Sequence, residues 1–253
     1  IAASVAVCFA ISPAVCLDVP AIFSPSSSKM DKLRRVKTFG NWAMCITDSE
    51  SVNADSYLLA IDVSNPKAPS FNDSYSNHTF LGRHIDFDID NEVAYILSIE
   101  NTGGTQENSI LTKVGLTNLF YLNQAVSTSL NMTLNTPIPA NLKDIGGIKA
   151  VGKKVYTVHG NRFFIYNSGE RLTTNPIQLS NTYLPQDHYG TDVDVVGNYA
   201  YVYATNDITK SSCILIYDIS DIYSPVLLDP ITHFGSGSGK SLGSKFTTVG
   251  NRI

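Results

Sequence analysis

Three observations predict an all-β chain made of repeated four-stranded antiparallel sheets. A hairpin motif recurs along the chain, seen most clearly in Thr191-Asp-Val-Asp-Val-Val-Gly-Asn-Tyr-Ala-Tyr-Val202, where a period-2 run meets a Gly-Asn turn and an aromatic strand follows. Its turn residues Gly40, Asn91, Gly152, Gly197 and Gly250 stand 51, 61, 45 and 53 residues apart, the interval of a four-stranded repeat with variable loops. The composition agrees: 13 Tyr and 11 Phe favour strands, and charged residues make up only 16% against the roughly 25% usual for a soluble domain. These features predict a β-propeller with about four blades present, expected to be a fragment of a six- or seven-bladed ring.

The chain opens on Ile1–Cys16, a run of small and apolar residues. It reads as the end of a secretory signal with a small-residue cleavage zone near Ala14–Cys16, so residues 1–20 are expected to be a truncated signal peptide. A strand from an earlier blade is the other reading. No other stretch reaches the roughly 18 apolar residues of a membrane span. Repeats are expected over residues 32–253, with the last blade truncated.

The basic run Lys32, Arg34, Arg35 and Lys37 begins the first copy, and a solvated strand edge accounts for it simply. With a net charge of −4 and no basic stripe elsewhere, the chain is not expected to bind nucleic acid. Further hairpins are expected at Val36–Ala43, Asp86–Ile96, Ile148–Tyr156 and Phe246–Ile253. His159, in Thr157-Val-His-Gly-Asn161, is expected in a turn. Cys45 and Cys213 fall on different strand types of different repeats, so no disulfide is expected between them.

A second element follows the hairpin at a set distance. Tyr57-Leu-Leu-Ala-Ile-Asp-Val-Ser-Asn-Pro-Lys-Ala-Pro69 matches Cys213-Ile-Leu-Ile-Tyr-Asp-Ile-Ser-Asp-Ile-Tyr-Ser-Pro225. An apolar run of this kind is a strand buried on both faces. It should end where Asp and Ser bond nearby amides and Pro sets the next turn. The middle copies, Ile110–Val114 and Phe163–Tyr166, keep the strand and lose that ending.

In these two elements, Gly-Asn-x-Ala-Tyr and Leu-Leu-x-Ile-Asp-Val-Ser-Asn-Pro-x-x-Pro, the chain resembles the LVIVD-repeat β-propellers, typically surface proteins of bacteria and archaea. The resemblance runs from about Lys32 to the end. It implies a propeller and an extracellular or cell-surface location, and it brings no catalytic residues.

Candidate site residues follow from the repeat register. Asp86 and Asp192 match, Arg35 and Lys245 hold the equivalent places in flanking copies, and Gly147 holds it in the third. These positions open the first strand of each blade, which lines a propeller's channel. Lys143, Asp144, Asp187 and His188 lie just before such strands, on loops where ligands usually sit. The expected channel-mouth set is therefore His84, Asp86, Lys143, Asp144, His188, Asp192 and Lys245. His84, Asp86, Asp88 and Asp90 recur at period two and are of the types that bind a hard cation. The spacing fits no calcium loop, and a polar strand face near the axis explains it better. Gly235-Ser-Gly-Ser-Gly-Lys-Ser241 lacks the leading glycine of a phosphate loop and precedes a strand, so it reads as a linker.

No nucleophile elbow or metal-ligand spacing is found, and no cofactor or metal is expected. The sequence favours a non-catalytic extracellular or surface module that binds a protein or glycan partner or scaffolds the envelope. One alternative is a propeller enzyme, a hydrolase or lyase acting on a glycan, with His84, Asp86, His188 and Asp192 around the channel. Another is a subunit that self-assembles into a surface layer or filament.

Overall fold

The computed structural model describes residues 33–47, 56–76, 82–100, 109–132, 138, 146–169, 171–228 and 231–234. The expected leader, the Gly235–Ser241 linker and the Phe246–Ile253 hairpin lie outside these residues. The fold is all-β, with one 3-10 segment, Leu119–Gln124, among the described residues.

Sheet one consists of β1 (Leu33–Phe39), β2 (Trp42–Thr47), β3 (Tyr57–Asp62) and β4 (Ser70–Ser76), antiparallel and in sequence order. Sheet two repeats the order with β5 (Gly82–Asp90), β6 (Val93–Glu100), β7 (Ser109–Gly115) and β8 (Ser127–Met132). Sheet three has β9 (Gly146–Val151), β10 (Lys154–His159), β11 (Arg162–Asn167) and β12 (Ile177–Tyr183). Sheet four has β13 (His188–Val196), β14 (Tyr199–Asn206) and β15 (Ser212–Asp218). Its outer edge is met in two places, by β16 (Val226–Leu227) against Tyr217 and Asp218 and by β17 (Ile231–Phe234) against Ser212–Ile214.

The four expected hairpins within the described residues form where their turn chemistry puts them. Gly40, Gly152 and Gly197 have φ near +56°, and at Asn91–Glu92 both residues are left-handed, as a tight hairpin turn demands. At the three glycines a Cβ would meet nothing within 4 Å, so backbone conformation rather than space selects glycine there.

Apolar clusters cement neighbouring sheets. Met44, Ile46 and Leu58 pack against Phe87, Ala94 and Ile96 between sheets one and two. Leu97 and Leu111 meet Val155, Phe164 and Tyr166 between two and three, and Val158 and Phe163 meet Val202, Leu215 and Tyr217 between three and four. Sheets two and three are thus buried on both faces. Their middle strands therefore read as apolar runs rather than alternating ones.

The Asp-x-Ser endings behave as their chemistry predicts. Ser64 N donates to Asp62 Oδ1 (2.8 Å) and Ser220 N to Asp218 Oδ1 (2.9 Å). These bonds hold both carboxyls below the usual aspartate range. Asn65 and Asp221 close the next turn, accepting from Lys67 N and Tyr223 N. One expectation is corrected. His159 is the last residue of β10, fully buried, because the two-residue turn Gly160–Asn161 sets His159 opposite Arg162. Cys45 and Cys213 are free and buried, in β2 and β15.

Candidate functional site

The first strands β1, β5, β9 and β13 lie side by side in that order, β1 against β5, β5 against β9 and β9 against β13. They share one register across their hairpins: Lys37 pairs with Met44, Asp88 with Tyr95, Lys149 with Tyr156 and Asp194 with Tyr201. In β1, β5 and β13 the pairing slips by one residue just before Arg35, Asp86 and Asp192. Such a bulge re-aims the side chain that follows it. Local backbone geometry therefore directs this column of charged residues at the joints between sheets.

The carboxylates are engaged on both sides. Asp86 is 4% exposed; its Oδ1 lies 3.5 Å from Arg35 Nε, and its Oδ2 accepts from Ile148 N at 3.2 Å. Asp88, 7% exposed, binds Lys37 Nζ through Oδ1 (3.0 Å) and accepts from Ala150 N through Oδ2 (2.9 Å). Asp90 accepts from Lys153 N at 3.2 Å. The strand β5 thus binds a cation from the sheet before it and main-chain amides of the sheet after it. Two members of the basic run, Arg35 and Lys37, are partners for β5 rather than a merely solvated edge.

The third joint repeats the first. Lys149 Nζ lies 2.9 Å from Asp194 Oδ1. Burial pulls the Lys149 ammonium down, but the bond to Asp194 and the charges of Asp194, Asp88 and Asp192 outweigh it and leave its pKa above the ordinary lysine value. Asp192 is 5% exposed, and its Oδ1 accepts from Val193 N. Gly147 stands opposite it. A Cβ there would lie 2.5 Å from Asp192 Cα, so β9 and β13 approach this closely only with glycine at that place.

His84 is buried and its Nδ1 lies 2.8 Å from Ser98 Oγ, its partner across the hairpin. His188 is half-buried and opens β13, directly after the turn residue Asp187 with φ +61°. Its Nδ1 faces Gln186 O at 2.8 Å; a carbonyl only accepts, so Nδ1 carries the proton and a neutral ring keeps a lone pair on Nε2. Lys143, Asp144 and Lys245 lie outside the described residues. Of the expected set, Asp86 and Asp192 sit at neighbouring joints, while His188 sits at the start of β13. Among the described residues, no three His, Cys, Asp or Glu side chains are grouped to hold a metal ion, and no helix is long and apolar enough to cross a membrane.

Two buried polar ties were not anticipated. Lys113 is 2% exposed, and its Nζ donates to Ser168 O (2.5 Å) and Arg171 O (2.6 Å) of sheet three. Burial holds its pKa below the ordinary lysine value. Ser109 and His159, both fully buried, bond across the same joint, Ser109 Oγ to His159 Nδ1. A column-by-column comparison of charges would have flagged Lys113, since Ala60, Ile165 and Ile216 hold its place in the other sheets. No sequence signal marks the Ser109–His159 pair.

The most exposed large apolar residues lie elsewhere. Phe120 (64%) and Tyr121 (59%) stand on the 3-10 segment after β7, with Phe120 edge-on to Trp42 at 5.3 Å. Tyr183 (55%), stacked on the Arg162 guanidinium, and Tyr223 (68%) lie on the outer parts of sheets three and four. A scan against models of known protein families finds no match to this chain, and a search of curated proteins finds none either.

Proposed function

We propose that the chain is a β-propeller module of an extracellular or cell-surface protein, acting by binding a protein or glycan partner rather than by catalysis. The observation that carries this reading is the use made of the ionisable residues. Asp86, Asp88, Asp194, His84 and His159 are buried and bonded within or between sheets, whereas large side chains such as Phe120, Tyr121 and Tyr223 face solvent. Exposed aromatics suit recognition, since they offer contact area and a face for stacking on a sugar or an apolar side chain. The four sheets with adjoining first strands support the propeller, and the repeat's resemblance to surface propellers supports the location.

The test is retention on, and turnover of, isolated cell-envelope polysaccharide and envelope protein. The module reading expects saturable binding, weakened by the double substitution Phe120→Ala and Tyr121→Ala, with no change in polymer length. The alternative, a glycan hydrolase or lyase, draws on one observation: His188 is half-buried and keeps Nε2 available as a base. Polymer cleavage that disappears in His188→Ala would replace the first reading with the second.

A further inference from the structure

The connection between third and fourth strands is longest in sheet two. It spans residues 116–126 there, against 63–69, 168–176 and 219–225 in sheets one, three and four. It carries the 3-10 segment Leu119–Gln124, whose backbone kinks at Tyr121 (φ −133°, ψ 51°). A 3-10 turn repeats every three residues, so Leu119 and Leu122 share one face. Both are buried in the joint with sheet one, while Phe120 and Tyr121 between them stay about three-fifths exposed. The two leucines anchor the segment, and its rings are not what closes the core. Among the described residues of the other three connections, Tyr223 alone is a large exposed apolar side chain.

The rings stand on a fixed support. Asn72 Nδ2 of β4 donates to Leu119 O (2.6 Å), Asp73 Oδ2 accepts from Asn123 N (3.0 Å), Asn118 Oδ1 accepts from Phe120 N (3.2 Å) and Leu116 N donates to Glu92 O (2.8 Å). Phe120 lies nearly perpendicular to the half-buried Trp42, at 5.3 Å between ring centres. Rings held this way lose little freedom when a ligand packs on them. Their surroundings select the ligand. Residues 116–126 carry no charged side chain, and the exposed polar neighbours Asn41, Asn118, Asn123 and Gln124 all end in amides. An amide offers donor and acceptor together, which matches the paired hydroxyls of a sugar, and a ring face packs on the C–H face of a pyranose. The charged side chain bonded to the segment, Asp73, is acidic and would repel an anionic polymer. Two rings exposed to this degree offer roughly 200–300 Å². That is well short of the about 800 Å² that a standard protein interface takes from each partner, and it suits a few sugar units.

We propose that Trp42, Phe120 and Tyr121 form a stacking platform for an uncharged glycan, a polymer of neutral sugar units. The inference rests on the binding-module reading and narrows it from protein or glycan to one ligand class at one place on sheets one and two. Tyr121 and Phe120 supply the exposed faces, and Trp42 backs Phe120. Trp42 is the chain's single tryptophan, so its fluorescence reports on this platform and on no other part of the fold.

The test is titration with four neutral glycans, soluble β-glucan, mannan, galactan and chitohexaose, beside the acidic polymer polygalacturonate and solubilised envelope protein, read by Trp42 fluorescence and by retention. At least one neutral glycan should bind saturably and shift the Trp42 emission. Tyr121→Ala should weaken that binding about tenfold or more, and Tyr121→Phe, which keeps the ring, by no more than about threefold. Both variants should keep the wild-type urea midpoint, because Tyr121 is 59% exposed. Neutral-glycan binding that survives Tyr121→Ala unchanged puts the site elsewhere and overturns the inference, as does tighter binding of polygalacturonate than of every neutral glycan. Binding of envelope protein alone leaves the module reading standing and sinks the glycan platform. If neither glycan nor envelope protein is retained, the module reading falls together with the inference.

Discussion

Replacing Asp88 by alanine probes the joint between β5 and its two neighbours directly. The substitution removes the acceptor of Ala150 N at 2.9 Å and the partner of Lys37 at 3.0 Å. An amide left buried without an acceptor costs about 1–3 kcal/mol. The Lys37 side chain is 39% exposed, so solvent screens its pair and the loss there is at most about 0.5–1 kcal/mol. We predict a total of about 2–3 kcal/mol in urea unfolding, or a fall in Tm of about 5–10 °C for a domain of this size. Asp88→Asn keeps an oxygen for Ala150 and loses the charge, and should cost about 1 kcal/mol. Asp90→Ala, whose amide partner Lys153 lies in an exposed turn where water can replace it, should cost less than about 0.5 kcal/mol. If Asp88→Ala lies within about 0.5 kcal/mol of wild type, or matches Asp90→Ala, the carboxylate does not tie the sheets.

Two further outcomes follow from packing and burial. Gly147→Ala should cost about 1–3 kcal/mol, because its Cβ would meet backbone of Asp192 at 2.5 Å, and an unchanged urea midpoint would show that β9 and β13 are not in close approach. Burial pushes the Cys45 thiol up to about 12 and the Cys213 thiol to about 11, from 9.0. The folded chain keeps protons there that the unfolded chain releases. The contribution to stability is therefore present below pH 9 and is lost as pH rises from 9 through about 11–12, by at most about 1.4 kcal/mol per thiol per pH unit. Iodoacetamide labelling at pH 9 should track global unfolding, and labelling of native Cys45 at the rate of free cysteine would contradict its burial.

Much of the fold was legible because its signals are local. Hairpin turns at Gly40, Gly152 and Gly197 require left-handed backbone, and third strands such as Leu58–Ile61 are apolar on both faces. The Asp62 and Asp218 turns depend on bonds two residues away. The site was legible only in part. The column holding Asp86 and Asp192 follows from the repeat register, whereas the sign of its neighbour Lys37, Asp88, Lys149 and Asp194 alternates from sheet to sheet. That alternation expresses contacts between sheets more than 40 residues apart, which no local periodicity encodes. Lys113 and the Ser109–His159 pair are of the same kind: their partners lie on another sheet.

The central claim is that the charged column holds sheets together. The most direct measurement is a double-mutant cycle on Lys149 and Asp194, read by urea unfolding of the two alanine variants and their combination. With a 2.9 Å separation, an Asp194 side chain only 6% exposed and a lysine 30% exposed, we predict a coupling of about 0.5–1.5 kcal/mol. Additivity within about 0.3 kcal/mol would mean that the two charges stand side by side without binding the sheets, and would contradict the account.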